Sequence, residues 1–265
     1  LRREPILNSC PKRGVMTSSL NDVLSAVSTV VWGPFVLMPL LLGTGLYLTI
    51  RLGGIQFRTL GRATRHAFID TSSEGAGDIS NYQALTTALA ATVGTGNIVG
   101  VATALSIGGP GSLFWIWVTG LVGMATKYSE AYLGVRFRTT DKHGKQQGGP
   151  QTYLRRGIPG GLGKVLAAAF MLFTIFASFG IGNLAQGNSI AAGMEDAFGV
   201  DPVVSGILIF LCVGAAVLGG IEGIGKITAA FVPLMIVIYV VGGIAVLITM
   251  ADQIPAALSA IFTGA

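Results

Sequence analysis

The residues best suited to chemistry lie in the middle of a long uncharged stretch. Residues 79–126 carry no charged side chain, yet their centre reads Thr-Val-Gly-Thr-Gly-Asn from Thr92 to Asn97. Inside a bilayer, irregular backbone is tolerated only where it lines a cavity or is buried in protein. Gly94 and Gly96 permit backbone dihedrals that other residues resist. The pattern therefore predicts a membrane helix that unwinds around a solute.

An unwound segment offers two kinds of binding group. Its freed backbone N–H groups can bind an anionic carboxylate, and its freed carbonyl groups, together with the Asn97 amide oxygen, suit a small hard cation. A structural alternative stays open, because Gly96 to Gly100 also form a G-x-x-x-G helix-association motif. The polar side chains of Thr92, Thr95 and Asn97 favour the transport interpretation, since close packing alone does not require them.

A second polar cluster interrupts another apolar run. Residues 182–188 read Gly-Asn-Leu-Ala-Gln-Gly-Asn within the uncharged residues 165–194. Asn183 and Gln186 are three residues apart, so we expect them to share a helix face. An amide inside a membrane either bonds a neighbouring helix or lines a polar cavity, and both interpretations stay open here. Gln186 is the candidate for a substrate contact because its amide can both donate and accept.

Other reactive residue types are few. Lys127 and Glu130 lie three apart in a predicted helix, near its cytoplasmic end, which favours a local ion pair or gate element over a role in ion coupling. Residues 146–150 predict a turn that could serve a gate.

Cys10 and Cys212 suggest neither a disulfide nor a metal site. We find no catalytic constellation, P-loop or dinucleotide fingerprint, so we predict no enzyme, no catalytic residue and no cofactor.

Composition places the chain in a membrane. Of its 265 residues, 51% are hydrophobic and only 11% are charged, whereas a soluble domain carries about 25% charged residues. The net charge of +5 could suggest nucleic acid, but the basic residues lie in loops between apolar runs, so we expect no nucleic-acid partner. The prediction is an all-α polytopic membrane protein.

Six segments are long and apolar enough to cross the hydrocarbon core, which takes about 20 residues. They are residues 29–50, 85–107, 112–135, 165–194, 203–221 and 227–251. A Gly-Gly-Pro-Gly turn at residues 108–111 separates the second from the third, and Asp201-Pro202 predicts the start of the fifth. Pro34, Pro39 and Pro233 are expected to kink their spans.

The distribution of positive charge predicts the orientation. The loops after the first, third and fifth spans hold four, seven and one Lys or Arg residues, and the opposite side holds none. Because positive residues collect on the cytoplasmic side, we expect these loops on the cytoplasmic face of the cell (inner) membrane. The Met16 end is expected on the outer face.

The N-terminal residues do not fit this pattern. Residues 1–15 contain four basic residues and no methionine, and Met16 follows directly. We interpret residues 1–15 as a non-native or upstream-translated extension and residues 16–265 as the membrane domain. Residues 1–15 do not resemble a signal peptide, because no apolar core follows their charges closely enough.

Several separated motifs resemble one transporter family. The segment from Thr92 to Ala104 is similar to the signature of the alanine or glycine:cation symporters. So are Gly123 to Glu130, the Gln147-Gly-Gly-Pro150 loop, and Gly182 to Asn188. The resemblance extends from about Asp22 to the C-terminus.

The resemblance implies a fold and a site. Family members transport alanine or glycine with sodium, sometimes with protons, on a leucine-transporter-like fold: one extra N-terminal helix, then two five-helix inverted repeats. By resemblance, substrate would meet the backbone of Thr95 and Gly96, with Gln186 lining the pocket. Sodium would lie near Asn97 and the carbonyl groups of Ala90 and Val93. The chain would hold the extra helix and the first repeat, with the second absent, and would not transport alone.

Three functions remain in competition. The leading one is sodium-coupled symport of alanine or glycine by an incomplete chain. The others are a solute channel, because broken helices also build pores, and a transport-inactive half-transporter or assembly fragment. The sequence does not choose between alanine and glycine or between sodium and proton, and it does not give the oligomeric state.

Overall fold

Helices dominate the computed structural model, which describes residues 15–68 and 79–265. They account for 84% of the described residues. In chain order they are α1 (Val15–Trp32), α2 (Leu37–Arg51), α3 (Ile55–Arg58), α4 (Leu60–Phe68), α5 (Asn81–Thr92), α6 (Thr95–Gly108), α7 (Gly111–Arg136), α8 (Pro150–Gly157), α9 (Gly161–Phe179), α10 (Ala185–Phe198), α11 (Pro202–Leu218), α12 (Gly220–Thr249) and α13 (Ile254–Thr263). A π-helical turn, Gly180–Leu184, joins α9 to α10, and a 3-10 turn, Ala251–Gln253, precedes α13.

The predicted all-α polytopic architecture is confirmed. Four helical stretches are long and apolar enough to cross a membrane: Asn21–Arg51, Asn81–Gly108, Gly161–Phe198 and Gly220–Thr249. The other two predicted spans correspond to α7, with 26 residues, and to the shorter apolar helix α11, with 17. Most large apolar side chains on these helices are exposed, and such surfaces require lipid or protein rather than water around them.

The helix boundaries differ from the predicted spans at two places. The first span, residues 29–50, contains a break at residues 33–36, where α1 ends and α2 begins; Pro34 lies within it. The sixth span begins at Gly220, so Glu222 and Lys226, expected in a loop, lie in the first turns of α12. The connection from α11 is a tight turn at Gly219 and Gly220.

The other two prolines do not interrupt their helices, whereas the predicted turn before α7 and the predicted start of α11 are both present. Pro39 falls in the first turn of α2, and Pro233 lies inside an uninterrupted α12. The turn before α7 and the start of α11 are confirmed. Gly109 adopts a positive φ of 72°, and the Asp201 carboxylate accepts from the Val203 N–H at 2.8 Å.

Close helix contacts position the segment that carries the candidate site. α5 packs on the N-terminal half of α12, where the Thr87 and Thr228 hydroxyls lie 3.0 Å apart. α2 packs on α7, and a Cβ at Gly45 would lie 2.9 Å from the Val122 carbonyl oxygen, so only glycine permits this approach. The small core includes Ala125, on α7.

The loop between α7 and α8 forms a small hairpin that the sequence analysis did not predict. Strands β1 (Thr139–Thr140) and β2 (Gln146–Gln147) pair antiparallel. The Asp141 carboxylate accepts from the backbone N–H groups of His143 and Lys145 at 2.8 and 2.9 Å. A signal for the hairpin was present in the Asp-x-x-Gly sequence at residues 141–144, which is typical of a tight turn.

The interpretation of the N-terminal extension is not addressed by the fold. Residues 1–14 lie outside the described residues, as do residues 69–78 of the loop before α5. Val15 and Met16 begin α1.

Candidate functional site

The predicted interruption of the second span is a real break in the helix. α5 ends at Thr92, two residues with extended backbone follow, and α6 begins at Thr95. Val93 has φ −85° and ψ 111°, and Gly94 has φ −163° and ψ −159°. Because helix ends leave N–H and C=O groups outside the helical ladder, a break at membrane depth concentrates unsatisfied backbone dipoles at one point.

The carbonyl groups of Ala90 and Val93 are among those that lose their helical donors at this break. In a continuous helix, the Ala90 carbonyl would accept from the Gly94 N–H and the Val93 carbonyl from the Asn97 N–H. Instead, the Gly94 N–H donates to the Asn97 side-chain Oδ1 at 3.4 Å, and the Asn97 N–H donates to the Gly94 carbonyl at 3.1 Å. Of the residues predicted for sodium, Ala90 and Val93 therefore have carbonyl groups without their helical donors, and Asn97 has its side-chain oxygen bonded to Gly94.

Gln186 reaches the break from a distant part of the chain. Its side-chain Oε1 accepts from the Thr95 N–H at 3.3 Å and from the Thr95 hydroxyl at 2.9 Å. Gln186 is half-buried and lies on α10, where it contacts the start of α6. Three of the four predicted substrate residues, Thr95, Asn97 and Gln186, therefore have polar groups within this small region, and Gly96 follows Thr95 directly.

The reason for glycine at position 94 differs from the one expected. Its extended backbone is open to any residue, so the predicted need for unusual dihedrals is wrong. A Cβ at Gly94 would lie 3.3 Å from Gln186 Nε2 and 3.4 Å from Oε1. The close approach of the Gln186 amide is what favours glycine there.

The alternative packing interpretation gains no support from the described residues. An added Cβ at Gly96 would meet no atom within 4 Å, and one at Gly100 would meet only the Thr95 carbonyl of its own helix. Thr92 also behaves locally, since its hydroxyl donates to the Ala88 carbonyl at 2.7 Å. Thr95 and Asn97 are the polar side chains that act at the break.

Asn183 and Gln186 do not share a face, contrary to the expectation from their spacing. Asn183 lies in the π-helical turn and lines a groove of about 630 Å³ beside α11 with Asn188 and Phe210. Gln186 instead contacts α6. The π turn accounts for the difference because it adds a residue to the helical repeat and rotates the rest of the helix. No pattern in the sequence predicted this turn.

Lys127 and Glu130 form the predicted local ion pair. Their side-chain N and O atoms lie 3.0 Å apart, and 68% and 42% of the respective side chains are exposed. They border a cavity of about 190 Å³ with Gly149, Pro150 and Tyr153. The Gly123–Glu130 motif and the Gln147–Pro150 loop, which are separate in sequence, therefore meet in the C-terminal half of α7.

Tyr153, on α8, is the titratable residue that the sequence analysis overlooked. Burial raises the pKa of its phenol above the ordinary value of 10.0, the negative charge of Glu130 raises it further, and the positive charge of Lys127 opposes the shift. Its location beside the ion pair could not be inferred from the sequence, because the hairpin brings it there.

Comparison with known proteins gives the family of the chain. A family model described as the sodium:alanine symporter family matches residues 17–265. The chain belongs to the sodium:alanine symporter family. The match includes the broken helix and Gln186, so the resemblance inferred from the separated motifs is confirmed, and so is the assignment to a multi-pass membrane protein.

Individual relatives of this family member are named as transporters. The chain is 51% identical over 251 residues to the sodium/alanine symporter AgcS of Methanococcus maripaludis, covering 92% of the chain and 55% of that relative. It is 44% identical to an uncharacterized transporter of Haemophilus influenzae, covering 93% of the chain and 53% of the relative. It is also 32% identical to the probable sodium/glutamine symporter GlnT of Bacillus subtilis, covering 94% and 51%. The chain thus spans about half the length of these relatives.

Proposed function

We propose that this family member carries out sodium-coupled symport of a small neutral amino acid, alanine or glycine, across the cytoplasmic membrane. The observation that carries the proposal is the convergence of two Thr95 donors, the backbone N–H and the hydroxyl, on one side-chain oxygen of Gln186. An arrangement that binds an amide oxygen in this way can bind a carboxylate oxygen, and a negatively charged acceptor forms the stronger hydrogen bond.

The same break supplies groups for the coupling ion. Oxygen ligands from carbonyl groups and amides suit a small cation, and the Ala90 and Val93 carbonyl groups have lost their helical donors. From the described residues, Asn97 Oδ1 accepts one long bond, from the Gly94 N–H, and it has a second lone pair. We infer that the substrate carboxylate and sodium occupy opposite sides of the break, with N–H groups facing the first and carbonyl groups the second, while protons remain the alternative ion.

The choice of alanine or glycine rests on the family and on a named relative. One relative is named a sodium/alanine symporter and another a probable sodium/glutamine symporter, so family membership leaves a range of side chains open. The proposal for a small substrate follows the relative with the higher identity.

The test uses a chimera, because the chain corresponds to about half of its relatives. Residues 17–265 replace the matching part of the Methanococcus symporter, and proteoliposomes take up radiolabelled alanine or glycine with and without an inward sodium gradient. The proposal expects saturable uptake against a concentration gradient that disappears without sodium. A pH gradient in place of the sodium gradient tests proton coupling.

Two results would reject the proposal. Uptake that never exceeds equilibrium and does not saturate would indicate a channel. A chimera that shows the helical content and melting behaviour of the parent symporter, yet takes up neither amino acid, would indicate that these residues do not form a transport site.

A further inference from the structure

A cavity outside the broken helix has the composition of an anion site. It has a volume of about 560 Å³ and lies between the hairpin, α8 and the N-terminal part of α9. Arg155 and Arg156 border it, with the Thr139 and Thr152 hydroxyls and the Gln151 amide. The Thr139 hydroxyl already donates to the Gln147 carbonyl, and Gln151 Nε2 donates to the Gly148 carbonyl. The two arginines and Thr152 can donate to an anion, and arginine in particular matches the geometry of phosphate oxygens.

The charges around the cavity are not neutralised locally. Within the described part of the chain, neither guanidinium has an ion-pair or hydrogen-bond partner. Residues 137–164 contain six Lys or Arg residues and one acidic residue, Asp141. The Asp141 carboxylate already accepts the two backbone N–H groups of the hairpin turn, so it is not aimed at either arginine.

The opposite wall of the cavity is apolar. Ala167, which is 3% exposed, and Met171 line it. At 1.5 Å per residue, Met171 lies about 15 Å along α9 from Gly161, which places it at hydrocarbon depth if α9 crosses the bilayer. α7 ends and α9 begins on either side of this loop, so the cavity lies at the membrane surface whichever side faces the cytoplasm.

We propose that this cavity binds the phosphate group of an anionic phospholipid, with Arg155 and Arg156 on the phosphate and the glycerol and first acyl carbons against Ala167 and Met171. A free inorganic phosphate shares the chemistry of the polar end. The apolar wall favours the lipid, since a free anion gains nothing from it.

The test measures lipid binding by the purified 265-residue chain. Native mass spectrometry in detergent follows titration with phosphatidylglycerol or phosphatidylcholine. Removing both positive charges in R155Q/R156Q should weaken phosphatidylglycerol binding roughly 30-fold, because each basic residue near an anionic lipid contributes about fivefold. The matched control R62Q/R65Q removes the same charge from α4 and should change binding by less than about threefold.

Further arms separate the two sources of phosphate and guard against misfolding. Inorganic phosphate should not displace phosphatidylglycerol. Met171→Ser should weaken lipid binding, and the loss of affinity should be larger for phosphatidylglycerol with longer acyl chains. Thr152→Val keeps both charges and the side-chain shape, so it should weaken binding by roughly threefold even if the double variant fails to fold.

The proposal fails under any of three results. Equal losses in R155Q/R156Q and R62Q/R65Q would show a general charge effect. Unchanged binding in R155Q/R156Q or Thr152→Val would show that the cavity is not the site. Full displacement by inorganic phosphate would assign the cavity to a free anion instead.

Discussion

At the level of single residues, Thr95 and Gln186 form the contact on which the proposed substrate site rests. The Thr95 hydroxyl and N–H converge on Gln186 Oε1, while the second atom of that amide, Nε2, lies against Gly94. The Gln186 carboxamide thus contacts both the extended backbone at Gly94 and the first residue of α6, Thr95. When a substrate carboxylate takes over the two Thr95 donors, the Gln186 amide is proposed to remain beside it and to donate to it through Nε2.

Replacing Gln186 should impair transport directly. In the chimera with the Methanococcus symporter, Gln186→Ala should raise the half-saturating alanine concentration roughly tenfold, which corresponds to one or two hydrogen bonds. The control is Asn183→Ala, which removes an amide three residues away that faces α11, and should have little effect. Asn97→Ala should weaken uptake too, through its sodium dependence. Normal uptake by both the Gln186 and Asn97 variants, at equal expression, would place the pocket elsewhere.

A methyl group at position 94 tests the close approach of the Gln186 amide. Gly94→Ala leaves the backbone conformation accessible, but its Cβ would lie 3.3 Å from Gln186 Nε2. The amide must move away from the break, so it can no longer contact a bound carboxylate, and uptake should fall about tenfold. Gly100→Ala, whose Cβ would meet only the Thr95 carbonyl oxygen at an ordinary contact distance of 3.9 Å, is the matched control. Similar losses from the two changes would point to backbone flexibility instead.

At the level of helices, α5 and α6 act as two half-helices with separate ends. α5 begins with a capping box, in which Ser80 Oγ accepts from the Gln83 N–H at 3.2 Å and Gln83 Oε1 accepts from the Ser80 N–H at 3.1 Å. The start of α6 instead relies on Asn97 and Gln186. A helix end that depends on weak, exchangeable partners is available for ligand binding, whereas the start of α5 is fixed.

Loss of the α5 cap should destabilise the fold without changing the site. Ser80→Ala removes the side-chain acceptor and should lower the free energy of unfolding by about 1 kcal/mol. Ser80→Asp retains an acceptor and should remain near the original stability. Thermal or denaturant unfolding of the purified chain in detergent measures both, and a loss in Ser80→Asp equal to that in Ser80→Ala would contradict the capping role.

The junction of α7 and α8 should show a titration that depends on the ion pair. Glu130→Gln removes a cause of the raised pKa of Tyr153, so that pKa should fall toward 10.0, while Lys127→Gln should raise it. Because the folded pKa is raised, the contribution of Tyr153 to stability is complete below the unfolded pKa of about 10 and is lost as pH rises through the folded pKa. Phenolate absorbance of each protein, minus that of its Tyr153→Phe counterpart, follows the titration. Shifts of the same sign in both variants would exclude the proposed electrostatic cause.

At the level of the whole molecule, exposed apolar helices and segregated charge require a membrane with a fixed orientation. Among the described residues, the large apolar side chains of α9, α11 and α12 are mostly exposed, and the buried core is small. The basic residues collect in loops on one predicted side. From this asymmetry, rather than from any single contact, we predict which end of the broken helix faces the cytoplasm.

Cysteine labelling tests this orientation. In a background with Cys10→Ser and Cys212→Ser, Lys142→Cys should react with a membrane-impermeant maleimide only after cells are opened. Asp196→Cys, at the end of α10, should react in intact cells. Both positions are exposed. The reverse pattern would invert the topology, and labelling of both in intact cells would break the six-span scheme.

The sequence by itself determined the membrane class and the location of the break. Hydropathy, charge segregation and the Gly-Thr-Gly-Asn segment are local properties, so they appear without knowledge of neighbouring helices. The same holds for the turn before α7 and the Asp201 cap, which involve residues adjacent in the chain.

Only the tertiary structure decided which side chains meet. Thr95 and Gln186 are separated by 91 residues, and their contact depends on the π turn that rotates α10 and directs Asn183 toward α11. Tyr153 approaches Glu130 because the hairpin folds α8 back on α7, and glycine is favoured at position 94 by an amide from another helix. The physical reason is directional: local sequence sets where a helix starts and stops, but a side chain's direction depends on helical register accumulated over every preceding turn, and a single added residue changes it.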